Sequence, residues 1–164
     1  MVSTEGARLS NLLNQKVAAL KDACRGLDEK TASSAPTGRW SPKEIISHLC
    51  GKNDSDAMSI IQPFLDSDNA RIDLESGNSF FTDDRAKMTL ADLLVLFEQR
   101  YKLLSDRAAL LTDKQLAKTA HIPLLKESSI GEHPTLAKWL EAIAEYHLNF
   151  HIDHLKEIRQ ALLS

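Results

Sequence analysis

The residues that invite chemistry are histidines. The chain has six of them in 164 residues, and three, His147, His151 and His154, fall within the stretch "EYHLNFHIDH". On a helix advancing about 100° per residue, with His147 at zero, His151 lies at about 40° and His154 at about 340°, so the three share one stripe. Leu136, Leu140, Ile143 and Ile158 fall on the same stripe, whereas Glu145, Asn149, Asp153, Lys156, Glu157 and Gln160 lie mostly opposite. The histidines therefore stand where core residues are expected.

Burying several imidazoles together as cations is costly, and each neutral ring needs partners for its nitrogens. A divalent metal ion meets that need. It takes neutral imidazole through one nitrogen, and an HxxxH pair such as His147 and His151 can bring two rings to one ion. The competing expectation is a set of hydrogen-bonded core histidines with no chemical role, and HxxxH lacks the Glu that marks an HExxH protease. Four protein ligands make a structural site, whereas three leave a position for water, so the ligand count matters.

Candidates for a third ligand are His48, His121, His133 and His154. His154, one turn beyond His151, is equally suited to a proton-carrying place beside the ion. His121 and His133 lie in a long connection, where histidines are usually solvated. His48 begins a polar stripe of Glu44, His48, Lys52, Ser55 and Ser59 beside the apolar face of Ile45, Leu49 and Ile60. Cys50, two residues from His48, is turned about 200° away on a helix and is a poor ligand for the same ion. Cys24 reads as a packing residue.

Helices must position these groups, and their punctuation is legible. In "WSPKEII", Ser41 at the N-cap, Pro42 at the first position and Glu44 three after the cap form a capping box with the favoured proline. "TLADLLVLFEQRYKLL" opens with Thr89 and Asp92 at the same spacing and predicts a helix over about 90–111. Leu9, Leu12, Leu13, Val17, Leu20 and Leu27 predict another over about 5–27. After the breaker "GEHP", the chain from "TLAKWLEAIAEYHL" onward has neither Gly nor Pro. Four long helices in one domain spanning 1–164 predict an all-α four-helix bundle. Two long connections, about 66–88 and 112–134, are placed to cover one end of it, and "TAHIPLL" suits a short extended piece.

The net charge of −3 offers no basic stripe for a phosphate backbone, which argues against nucleic-acid binding. No segment approaches the length of apolar chain that spans a membrane, and no signal peptide is evident. Two cysteines without a CxxC pattern fit a reduced, cytoplasmic protein.

Two segments resemble one family. "WSPKEIISHL" and "TLAKWLEAIAEYHLNFHIDHLKEI" are similar to the paired signatures of the DinB-like metalloproteins, a four-helix-bundle superfamily, and the similarity spans about residues 5–163. The resemblance implies a divalent metal, zinc or nickel, held by His48, His147 and His151 with a position open to water. It also implies a metal-dependent thiol-S-transferase using a low-molecular-weight thiol, or a hydrolase, acting on a small molecule, and a homodimer. Glu44, Lys52 and His154 are then the candidates for acid–base work beside the ion. Arg39, Lys52 and Arg85 are candidate partners for a thiol's carboxylates. The alternative is a non-catalytic, stress-response metal-binding bundle that acts as a dimeric interaction protein. The apolar flank of Leu148, Ile152 and Leu155 would then serve as a seam between copies.

Overall fold

The computed structural model describes residues 1–52 and 57–163. Helix α1 (Thr4–Ala23) leads through a single turn, α2 (Glu29–Ala32), to α3 (Pro42–Cys50). A 3-10 turn at Ala57–Ile60, α4 (Gln62–Asp66), strand β1 (Ala70–Arg71) and α5 (Asp83–Lys87) precede α6 (Leu90–Ala109). Then come α7 (Asp113–Leu116), strand β2 (Ala120–His121) and a 3-10 turn at Pro123–Leu125. The last helix changes type along its length. Helix α8 (Leu136–Ala142) passes through a π-helical turn, Ile143–Leu148, into α9 (Asn149–Leu163).

The expected four-helix bundle is observed, built from α1, α3, α6 and the α8–α9 rod. Leu9, Leu13 and Leu20 of α1, Ile45 and Ile46 of α3, Leu93, Phe97 and Leu104 of α6, and Leu140, Leu155 and Ile158 of the last helix form one buried core. Both capping boxes read from the sequence are formed: the Ser41 side chain accepts from the Glu44 N–H, and Thr89 from that of Asp92. Helices α1 and α6 make the most extensive contact in the bundle. Gly6 permits it, since a Cβ there would stand 2.5 Å from the Ala108 carbonyl oxygen.

Helix α3 is shorter than its polar stripe suggests. Gly51 takes φ 69° and ψ −165°, a conformation that only glycine adopts readily, and the helix stops at Cys50. Lys52 therefore stands beyond the helix and Ser59 in the following 3-10 turn, while Ser55 lies outside the described residues. The flank offered as a seam is also corrected. Leu148, Ile152 and Leu155 are buried in the chain's own core and have no surface left to offer a second copy.

The two long connections meet. β1 pairs with β2 in parallel, Ala70 opposite Ala120 and Arg71 opposite His121, and the extended piece expected in "TAHIPLL" is β2. The other side of β2 is occupied by the segment leading into α8: the Ala120 N–H donates to the Pro134 carbonyl and the Ile122 N–H to that of Glu132.

Candidate metal centre

His48 sits near the C-terminal end of α3, His147 in the π turn and His151 in the first turn of α9. Their candidate ligand nitrogens all lie within 4.8 Å of one another. The Nε2 atoms of His48 and His147 are 3.1 Å apart, and the three ring centroids are separated by 4.9 to 5.2 Å. The π turn widens the helix at His147, and π turns recur at functional sites. It also alters the predicted stripe: His151 is buried as expected, but His147 is exposed to the adjoining cavity and is no core residue.

Each ring is oriented by its neighbours. His48 Nδ1–H donates to the Asn78 carbonyl at 2.6 Å, which leaves its Nε2 lone pair free to face the other rings. The Asn78 side-chain oxygen accepts from the Phe80 N–H, and the Phe80 ring lies parallel to His48 at 6.3 Å. Phe80 does so with φ at 52°, a left-handed backbone that a bulky residue rarely adopts, and such strain concentrates at working sites. Trp40 stacks parallel to His151 at 6.5 Å and leans on His48 at 5.2 Å.

Although the His147 side chain keeps surface toward the cavity, the groups packed around its ring desolvate it and hold the imidazole down to about 4, with His48 adding to the effect. Burial holds His151 down to about 3, aided by His147, His48 and His154. Burial also lowers His48, against the bond to Asn78. Three neutral rings converge, as a divalent cation requires.

Hydrogen bonding alone leaves this arrangement incomplete. His147 Nε2–H can donate to His48 Nε2, but His151 Nδ1 is buried with no hydrogen-bond partner. Metal–imidazole bonds of about 2.0–2.1 Å at a tetrahedral angle place two nitrogens about 3.3 Å apart, close to the His48–His147 separation. The donor set fits a divalent transition-metal ion.

The centre opens on a cavity of about 1190 Å³. The first long connection supplies Ile72, Leu74 and Phe80 to its wall, the second Leu124 and Ile130, and the last helix Trp139. Both connections thus enclose the ground before the histidines.

The other residues singled out in the sequence fall in different places. His154 lines the cavity, 6.0 Å ring to ring from His151. Lys52 lines it too, paired at 2.7 Å with Glu75. The Glu44 carboxylate accepts from the Ser41 N–H in the capping box, and Glu44 does not line the cavity. Arg39 lines it but is paired with Glu157, whereas Arg85 is buried with its guanidinium on Ser47 and off the cavity wall. His121 and His133 lie elsewhere, 4.6 Å ring to ring from each other. Cys50 points its thiol at the Leu93 carbonyl, and Cys24 is buried. The Asn78 carbonyl and the strained Phe80 carry no sequence signal, since any residue has a carbonyl and no spacing marks a φ.

The whole chain superimposes on a solved structure, YfiT from Bacillus subtilis, with a TM-score of 0.74 at 18% identity, covering 99% of this chain and 90% of that one. The fold is that of YfiT. That protein is described as a probable metal-dependent hydrolase with an unusual four-helix bundle topology. An uncharacterised protein from Clostridium difficile 630 has the same fold, with a TM-score of 0.68 at 11% identity over 98% of both chains. The four-helix bundle expected from the helix punctuation and the HxxxH helix is thus the fold observed. No protein-family profile and no curated protein matches the chain in sequence. Among the described residues, no helix is long and apolar enough to cross a membrane.

Proposed function

We propose that this chain is a metal-dependent hydrolase of a small, largely apolar substrate, with His48, His147 and His151 as the ligands of one zinc or nickel ion. The observation that carries the reading is the convergence of three neutral imidazoles on one point at the mouth of an apolar cavity. A divalent cation held by three ligands supplies Lewis acidity, polarising a carbonyl and easing removal of a proton from water or a thiol.

The chain's own residues do the rest. Asn78 fixes the His48 tautomer through its carbonyl, so that Nε2 faces the centre. Ile72, Leu74, Phe80 and Trp139 hold the apolar body of the substrate and keep bulk water from it. His154, on the cavity wall 6.0 Å ring to ring from His151, would accept a proton during attack and return it to the leaving group.

A thiol-S-transferase would use the same ligands but must also hold the carboxylates of a low-molecular-weight thiol. Of the three cations considered for that task, Arg39 and Lys52 are already in ion pairs, and Arg85 is turned away from the cavity. The hydrolysis reading rests instead on the apolar lining of the cavity and on the likeness to YfiT, which is described as a probable metal-dependent hydrolase. Zinc- and nickel-loaded protein should hydrolyse a panel of aryl esters and amides with apolar acyl groups. Activity should vanish with a chelator, return with the metal, and be absent in His147→Ala. Thiol-dependent conjugation of an electrophile without hydrolysis would make the transferase correct. Metal binding with neither activity would favour the non-catalytic, dimeric bundle.

A further inference from the structure

A second group of ligand-type side chains lies apart from the cavity, on the ribbon that joins the two long connections. His121 ends β2, and Glu132 and His133 belong to the segment hydrogen-bonded along the other side of that strand. The backbone therefore delivers all three: the Ile122 N–H donates to the Glu132 carbonyl at 2.7 Å, and the Ala120 N–H to the Pro134 carbonyl at 3.2 Å. Ala120 and Ile122 are fully buried, so alternation along the strand turns the His121 side chain to the outer face.

We propose that His121, Glu132 and His133 form a second divalent-cation site, which staples the two ends of the second connection together. Their ligand atoms all lie within 4.8 Å of one another, and the His121 and His133 rings, stacked 4.6 Å apart, need only turn about their side-chain bonds to aim at one ion. His121 Nε2 and a Glu132 carboxylate oxygen are 3.3 Å apart, the spacing of two ligands of one tetrahedral ion. His133 Nδ1 is hydrogen-bonded to the Asn69 side-chain oxygen at 3.0 Å, which leaves Nε2 for a metal and matches the outer bond that orients metal-ligating histidines. Asn69 stands immediately before β1, so the group reaches both connections. Two imidazoles and one carboxylate are a donor set suited to zinc, with water completing the coordination.

The site has mechanical consequences. All three ligands belong to the second connection, so a cation would staple β2 to the segment leading into α8 and reach the first connection only through the His133–Asn69 bond. Past β1 the chain runs through Ile72 and Leu74 to Asn78, whose carbonyl orients His48. Filling the second site steadies the cavity wall without touching the first centre.

The test is zinc titration of tag-free, metal-stripped full-length protein against a competing chromophoric chelator, with limited proteolysis of the 112–134 connection as a separate readout. Wild type should bind two equivalents. His151→Ala should keep one and still show zinc-dependent protection of the connection. His133→Ala, at an exposed position, and the near-isosteric Glu132→Gln should each lose one equivalent and that protection while keeping the other. A single equivalent in wild type, lost in His151→Ala and unaffected in both ribbon variants, would overturn the second site and leave the hydrolase reading standing. One equivalent lost only in the ribbon variants would instead support the second site and sink the three-histidine centre.

Discussion

His48 and His147, ninety-nine residues apart in the chain, face each other with their Nε2 atoms 3.1 Å apart. Helix α3 supplies one and the π turn before α9 the other, so the contact exists only when the bundle is closed. His151 joins them from one turn further along, with a buried Nδ1 that lacks a hydrogen-bond partner. A metal ion held by these rings would therefore couple its binding to folding.

Removal of that third ring should empty the centre. His151→Ala is expected to lose the equivalent of zinc or nickel bound there, as measured by inductively coupled plasma mass spectrometry on tag-free protein. Unchanged metal content, with the second site disabled by His133→Ala in the same chain, would mean that these histidines are no ligand set.

Asn78 acts on the centre through His48 alone. Its side chain is exposed and holds the Phe80 N–H, while its carbonyl receives the His48 Nδ1–H. Asn78→Ala keeps the carbonyl that receives the His48 Nδ1–H and removes the side-chain oxygen that holds the turn at Phe80, so it should leave thermal stability nearly unchanged and weaken zinc binding by less than about tenfold, the lower end of the range for losing an orienting bond outright. An affinity equal to wild type would show that the turn holds its carbonyl on His48 without the Asn78 side chain.

Acid should act on the metal-free protein before the loaded one. In the fold, His147 titrates at about 4 and His151 at about 3, and His48 is also lowered. Unfolded imidazoles titrate at about 6.5. Below that value the unfolded chain binds protons that the folded chain does not, so stability is fully present above pH about 6.5 and falls progressively toward pH about 3. Bound metal should steepen the loss, because protons must then also displace it. Denaturant melts at successive pH values measure both effects, and a metal-free stability that is level from pH 7 to 4 would contradict the burial of these rings.

Much of this was legible beforehand, for definite reasons. Ser41, Pro42 and Glu44 announce α3 because capping is local chemistry, and the HxxxH pair announces a shared face because helical periodicity is local too. Gly51 ends α3 earlier than the polar stripe suggests because one positive φ outweighs the pattern beyond it. The exposure of His147 depends on the π turn and on a cavity roofed by both connections, and neither is written in residue spacing. The partners of Lys52, Arg39 and Arg85 are tertiary facts of the same kind.

The α1–α6 contact sets a limit on substitution. Gly6→Ala would bring a methyl group to 2.5 Å from the Ala108 carbonyl oxygen, and backbone on both sides must then part. Overpacking of this kind costs about 2 kcal/mol. For a chain of this length that lowers the melting temperature by about 4–8 °C, with m-value and metal content unchanged. A variant as stable as wild type would mean that the two helices slide freely at this crossing.

The cysteines should prove inert, which separates metal chemistry from thiol chemistry within the chain. Burial pushes the Cys24 thiol up to about 12 and that of Cys50 up to about 11, with nearby arginines only partly offsetting it. At pH 8 both remain protonated and enclosed, so iodoacetamide should modify neither in the folded protein and both in denaturant, as read by intact mass. The sign is opposite to that of the histidines. Unfolded thiols ionise at about 8.5, so this contribution to stability is complete below that pH and is lost as pH rises toward 11–12. Alkaline destabilisation should therefore shrink in Cys24→Ser together with Cys50→Ser, while metal content and hydrolysis persist. Rapid labelling of the folded protein at pH 8, with loss of activity, would instead place one of the chain's own thiols in the mechanism.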